Sequence, residues 1–283
     1  METFHLVEDC RVDNIQQMFE WIRKRKPKQL TKQPFPIEWC SILEHRFPHY
    51  AYLNSDEKQR LGTLIQLFIA QKRFEGRREM EITDEVRVLV AANACLLILE
   101  LSFDFFRDVS AVLVYPSAMT RPEALFGDRH THGEVTRKET PLSGEAHENG
   151  PVMLAWDSIT GNAIQADDGL NVIFHEFAHK LDMLTGEADG VPPLHQASDY
   201  TAWAEVCGRE YRHLVRRFSK GLDSFFDDSA SEHPAEFFAV ATEVFFEKPK
   251  EMKRRRPKLY EVLKGFYRQD PVLRGYESEK EPG

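Results

Sequence analysis

His175, Glu176 and His179 stand in the order His-Glu-x-x-His, inside the run Phe174-His175-Glu176-Phe177-Ala178-His179-Lys180. On a helix, side chains four residues apart lie one turn from each other, so both imidazoles project from one face. Two neutral ring nitrogens so placed can grip one Zn²⁺ and leave room for a further protein ligand and a water. Glu176 follows the first histidine, where a carboxylate reaches that water without ligating the ion. Zinc lowers the pKa of water toward neutrality, and a general base then takes the proton. The spacing therefore points to metal-assisted hydrolysis, with His175 and His179 as candidate ligands and Glu176 as candidate base. Val172, Ile173, Phe174, Phe177, Ala178 and Leu181 make the segment apolar on most sides. The histidines accordingly sit in a largely buried helix, and buried polar groups need partners.

Two histidines do not close a zinc site. In the pattern HExxHxxGxxH a third histidine follows on the same stretch. Here its glycine and histidine positions are Asp182 and Thr185, which excludes that class. The other arrangement takes a glutamate from a later helix. Pro234 is well placed as the first helical residue of the apolar run Pro234 to Phe246. Glu236 and Glu243 are two turns apart on that helix and share a face. Glu236 is a candidate ligand, or a first-turn glutamate favoured by the helix dipole. Glu243 lies deeper, as a rival ligand or as the group that orients a ligand histidine. Asp182, one turn beyond His179, is a candidate partner for a ligand imidazole or a capping or surface aspartate.

Elements must position these residues. Pro36 to Arg46 predicts a short helix. Asn54 or Ser55 caps a second, with Leu61, Leu64, Ile65, Phe68 and Ile69 as its apolar stripe. Thr83 to Leu99 predicts a central core helix broken by Asn93 and too short to span a bilayer, which takes about 20 apolar residues. Val112 to Tyr115 and Val152 to Trp156 read as strands. Between them Pro116 to Gly150 reads as a polar loop with His130, His132 and His147 exposed. Gly186 ends the histidine helix, Gly190 to Pro193 is a turn, and residues 199–219 form an amphipathic helix. Asp223 to Glu232 is loop. Residues 1–33 form a flexible segment with the basic run Arg23 to Lys28 and a short helix from Ile15 to Ile22. A folded domain over 34–272 and a disordered tail over 273–283 complete the expected organisation.

With 42% apolar residues the chain can bury a core, and its net charge of −9 disfavours direct nucleic-acid binding through phosphates. Cys10, Cys40, Cys95 and Cys207 form no Cys-x-x-Cys pair and read as small hydrophobes in a reducing compartment. The acidic N-terminus is no signal peptide, so the expected location is cytoplasmic.

His175-Glu176-Phe177-Ala178-His179-Lys180-Leu181-Asp182, followed by Pro234-Ala235-Glu236-Phe237-Phe238-Ala239-Val240, resembles the zinc peptidase family of Mlc titration factor A. Thr83 to Leu99 ahead of Val114-Tyr115-Pro116, Ser143-Gly144-Glu145 with Gly150-Pro151-Val152, and Gly190 to Leu194 extend the resemblance over roughly residues 20–272. It is similar, more distantly, to the catalytic domain of anthrax lethal factor. The resemblance implies a mainly helical α+β, zincin-like fold of gluzincin type, with a small mixed sheet beside two metal-bearing helices. It implies that His175, His179 and Glu236 bind zinc and that Glu176 is the base. It further implies aminopeptidase-like cleavage of peptides and binding of a transcription repressor, either beside catalysis or, in a catalytically weak protein, instead of it. In related enzymes an edge strand ahead of the metal helix holds extended peptide by β-augmentation, and Val152 to Trp156 is the candidate here.

One position departs from the family. A tyrosine, thought to hydrogen-bond the tetrahedral intermediate, stands seven residues before the glutamate ligand, and here that residue is Ser229. A serine there is too short for the same task. Losing one such donor typically costs about 2.7–4 kcal/mol, so either His233 or another donor takes over, or turnover is slow.

Overall fold

The computed structural model describes residues 34–120, 141–142, 144–146, 150–162 and 169–274. The expected segment 1–33 and the three histidines of the long loop fall outside them. Helices α1 (Ile37–Arg46), α2 (Ser55–Gln71) and α3 (Asp84–Leu97) begin where the sequence signals them. Asn54 Oδ1 accepts from the N–H groups of Asp56 and Glu57, both at 3.0 Å, while the Glu57 carboxylate accepts from Asn54 N–H. This reciprocal cap satisfies donors that a helix start leaves open. Thr83 caps α3, which is buried from Val88 to Leu97.

Four strands form one mixed sheet: β1 (Arg73–Gly76), β2 (Ala111–Tyr115), β3 (Gly144–Ala146) and β4 (Val152–Ala155), in the order β1-β2-β4-β3. The first three neighbours in that order run parallel, and β3 pairs antiparallel with β4, Gly144 opposite Leu154 and Ala146 opposite Val152. Two expectations change here. Val152 to Trp156 is not an edge: Val152–Ala155 lies between β2 and β3, and Trp156 already begins helix α4 (Trp156–Asn162). The edge on this side of the sheet is β3, inside the stretch expected to be loop. A three-residue strand of Gly, Glu and Ala has no apolar alternation to announce it, so only its pairing with β4 defines it. The same holds for β1, whose Arg-Phe-Glu-Gly carries one apolar side chain. Met119–Thr120 and Pro141–Leu142 form a separate two-stranded ribbon.

Helices α5 (Val172–Asp182), α6 (Ala197–Phe218), α7 (Pro234–Glu247), α8 (Pro249–Arg255) and α9 (Pro257–Tyr267) complete the described fold. The architecture is mainly helical with a small mixed sheet, as the fold class requires. Phe177 of α5 meets Phe106 and Phe68 with ring centroids 5.1 and 5.7 Å apart. On the other side Phe174 meets Phe246 of α7 at 5.4 Å. Aromatic rings in these tilted and edge-on arrangements add to the stabilisation from burial alone. α5 is thereby held between α7 on one side and α2 with the turn Phe103–Phe106 on the other. Arg274 Nη2 donates to Glu57 Oε1 at 2.7 Å, and residues 275–283 of the expected tail fall outside the described residues. Among the described residues, no helix is long and apolar enough to cross a membrane.

Candidate metal centre

α5 presents His175 and His179 on one face, and the first turn of α7 brings Glu236 to them. His175 Nε2 lies 3.2 Å from His179 Nε2 and 3.1 Å from Glu236 Oε2, and His179 Nε2 lies 3.4 Å from Glu236 Oε1. One ligand atom from each residue falls within 4.8 Å of the others. Tetrahedral bonds of about 2.0–2.1 Å place ligand atoms about 3.3–3.4 Å apart, close to these separations.

The proton positions strengthen the fit. His175 Nδ1 lies 2.8 Å from Glu243 Oε1, inside the protein. Carboxylates only accept, and Nε2 also faces one, Glu236, at 3.1 Å; the neutral ring that keeps its proton on Nδ1 toward the buried Glu243 is the form whose Nε2 offers a lone pair to a cation. That lone pair faces a second imidazole nitrogen and a carboxylate oxygen. Three electron-rich atoms turned toward one point are reconciled by a cation. Without one a proton serves: the Glu236 and Glu243 carboxylates outweigh burial and raise His175 well above the usual imidazole range. Burial would likewise raise Glu236, but His175 and His179 hold it well below the usual carboxylate range. Proton and metal thus compete for one site.

Glu243 lies on the Nδ1 side of His175, outside the group formed by His175, His179 and Glu236. Its Oε2 accepts from Asn171 N–H at 2.5 Å. Asn171 caps α5, its Oδ1 accepting from Ile173 and Phe174 N–H, each at 3.1 Å. Its Nδ2 donates to Asn93 Oδ1 and Glu247 Oε1, both at 2.9 Å, and Glu247 Oε1 lies 3.1 Å from His49 Nε2. Asn93, the polar break in the core helix, is one strut of this buried network. A group that fixes a metal-binding imidazole in tautomer and orientation is itself usually held by further hydrogen bonds. Asn171, directly ahead of the apolar run from Val172, has the residue type and position of an N-cap. Glu247 and His49, far apart in sequence, carry no local signal.

Asp182 is neither a surface group nor, in its hydrogen bonds, an imidazole partner. It is fully buried, and its Oδ2 accepts from Gly190 N–H at 2.8 Å. Gly190 has φ +81°, and a Cβ there would sit 2.4 Å from the carbonyl oxygen of Pro234. Only glycine suits both the dihedral and the approach. Trp203 Nε1 donates to Gly190 O at 2.9 Å. The chain from Asp182 through Gly190 to Pro234 sets the end of α5 against the start of α7, and hence the histidines against Glu236.

Glu176 faces a cleft of about 450 Å³ that is lined by His175, His179 and Glu236 together with Gly144, Glu145 and His233. Burial pushes its carboxyl up to about 8; His175 opposes this, while the carboxylates of Glu236, Glu243 and Glu145 add to it. A divalent cation beside it would draw the pKa back down. β3 passes so close that a Cβ on Gly144 would lie 2.6 Å from Glu176 Cγ. Ser229 is elsewhere in its interactions: its Oγ donates to Asp227 Oδ1 at 2.8 Å within the turn Asp228–Ser231, and it does not line the cleft.

Residues 19–268 match the family model described as glucose-regulated metallo-peptidase M90. An uncharacterized protein of Synechocystis sp. is 39% identical over 254 residues, covering 89% of this chain and 91% of that protein. Mlc titration factor A of Edwardsiella ictaluri is 32% identical over 269 residues, covering 92% and 97%. Its counterpart in Yersinia pestis is 31% identical over 264 residues, covering 91% and 92%. The family match spans both helices of the cluster, and the cluster is chemically fit for the metal that such a family implies; this chain belongs to the glucose-regulated metallopeptidase family M90.

Proposed function

We propose that the protein is a cytoplasmic zinc peptidase acting at the amino-terminal end of peptides, with residues 34–272 as its metallopeptidase domain. His175, His179 and Glu236 would hold the ion, and Glu176 is the general base. The carrying observation is the convergence of three possible ligand atoms from two helices, 3.1–3.4 Å apart, beside a buried glutamate in an open cleft. Two imidazoles and one carboxylate are a donor set that Zn²⁺ takes with a coordination position to spare. When bound, the ion supplies Lewis-acid polarisation of the scissile carbonyl and of an attacking water.

The chain's own groups supply the rest. Glu176 takes the proton from the water as its oxygen attacks the carbonyl carbon, and delivers that proton to the leaving nitrogen as the C–N bond breaks. Glu243 keeps His175 in the tautomer whose Nε2 faces the site. The edge strand β3 offers backbone groups to an extended peptide, which would add to the sheet beside it. Glu145 on that strand sets a carboxylate in the cleft, where a free α-amine is a favourable partner. This favours substrates with an unblocked amino terminus.

The test is Glu176→Gln. Hydrolysis of short free-amine peptides should vanish while one Zn²⁺ per chain is retained; unchanged turnover would overturn the reading. His175→Ala should lose the metal.

A second reading has its own support. Two of the relatives are named for titrating Mlc, and Ser229 does not supply the donor that the family pattern places there. The protein would then bind a repressor of sugar-uptake genes by contact. Binding of an Mlc-type repressor by the Glu176→Gln chain, without cleavage, supports it, and the absence of any complex removes it.

A further inference from the structure

We propose that His233 donates the hydrogen bond that stabilises the tetrahedral intermediate, in place of the tyrosine that the family pattern sets at Ser229. The inference rests on the peptidase reading above and adds a residue to it.

Three observations carry it. First, His233 is the N-cap of α7 and Glu236 is the third residue of that helix, so the two lie about one turn apart, and both line the cleft. The imidazole therefore stands at the mouth of the metal centre. Second, its tautomer is fixed. Ala235 N–H donates to His233 Nδ1 at 3.2 Å, which makes Nδ1 an acceptor and leaves the proton of the neutral ring on Nε2. A histidine that caps a helix in this way keeps one ring N–H for something else. Third, among the described residues that line the cleft, His233 is the one side chain outside the pair His175 and His179 that carries an N–H to donate. The others are carboxylates, a methionine, alanines and a glycine. The Ser229 hydroxyl is engaged by Asp227.

In the reaction the water oxygen forms a bond to the carbonyl carbon, the C=O π pair moves onto the carbonyl oxygen, and Glu176 receives the water proton. His233 Nε2–H bonds to the negative oxygen without giving up its proton. When the C–N bond breaks, the electron pair returns to C=O and the proton on Glu176 goes to the leaving amine. A donor aimed at developing charge in this way acts on the transition state more than on bound substrate.

The variant to make is His233→Ser, since serine is a strong N-cap and keeps the start of α7 while removing the ring N–H. Zinc content and melting temperature should match the wild type. With a free-amine peptide, kcat should fall about 10²–10³-fold with KM changed little. A phosphonamidate peptide, whose tetrahedral phosphorus mimics the intermediate, should lose affinity by a similar factor, while an uncleaved peptide bound to the Glu176→Gln background should not. Equal kcat in His233→Ser and wild type overturns the assignment to His233 and leaves the peptidase reading standing. If wild type with one Zn²⁺ cleaves no peptide, the peptidase reading fails, and the phosphonamidate comparison alone decides on His233: equal affinity overturns it.

Discussion

The α-carbon of Gly144 faces the carboxylate of Glu176 so closely that a methyl group on it would lie 2.6 Å from both Cγ and Oε1 and 2.8 Å from Cδ. The edge strand and the candidate base therefore share one space, and glycine is what lets both occupy it. What would have to yield to a larger residue is the end of a side chain and not the backbone.

Gly144→Ala tests that relationship. Alanine is compatible with the extended backbone, so the fold and the three-residue metal cluster should persist. The displaced Glu176 should lose its position against the water, and a misplaced general base costs about 10²–10⁴-fold in rate. Metal content measured beside kcat checks this. Full activity in the variant would mean that Glu176 has room to move without consequence.

Glu243→Gln keeps an oxygen near His175 Nδ1 but removes the charge that holds the ring in orientation across 2.8 Å. Outer partners of this kind typically account for 10–100-fold in metal affinity. A competition titration against a chelator should show a Zn²⁺ affinity weaker by about that factor, with helical content unchanged. Equal affinity would show that Asn171, Glu247 and His49 stiffen the core without reaching the metal.

Asp182 gives a pH-dependent stability. Burial pushes its carboxyl up to about 6, opposed by the Gly190 N–H it accepts. The ordinary value for an unfolded aspartate is 3.8. The folded chain thus binds this proton more tightly than the unfolded one. Its contribution to stability is complete below about 3.8 and is lost as pH rises through about 6. Asp182→Asn keeps an oxygen for Gly190 and does not titrate. In denaturant unfolding with a chelator present, the stability difference between wild type and Asp182→Asn should shift in favour of the variant across that window. A difference flat with pH would show that Asp182 ionises alike in both states.

The sequence by itself carried the chemistry that local geometry encodes. His175, Glu176 and His179 are fixed relative to one another by one helical turn, and Glu236 and Glu243 share a face of a helix whose start Pro234 announces. Caps at Asn54 and Thr83 and the stripe from Leu61 to Ile69 are likewise local, so their helices were legible. Tertiary structure alone decided which glutamate meets His175 Nε2 and His179, because that depends on how α5 and α7 dock, which is set by the link from Asp182 through Gly190 to Pro234. It decided the edge strand as well. Gly144 to Ala146 has no apolar periodicity, and its identity comes from hydrogen bonds to β4 and from the space beside Glu176. The His49–Glu247–Asn171 network was silent for the same reason: a buried polar group is recognised by its partners, and these lie on segments the chain brings together only by folding.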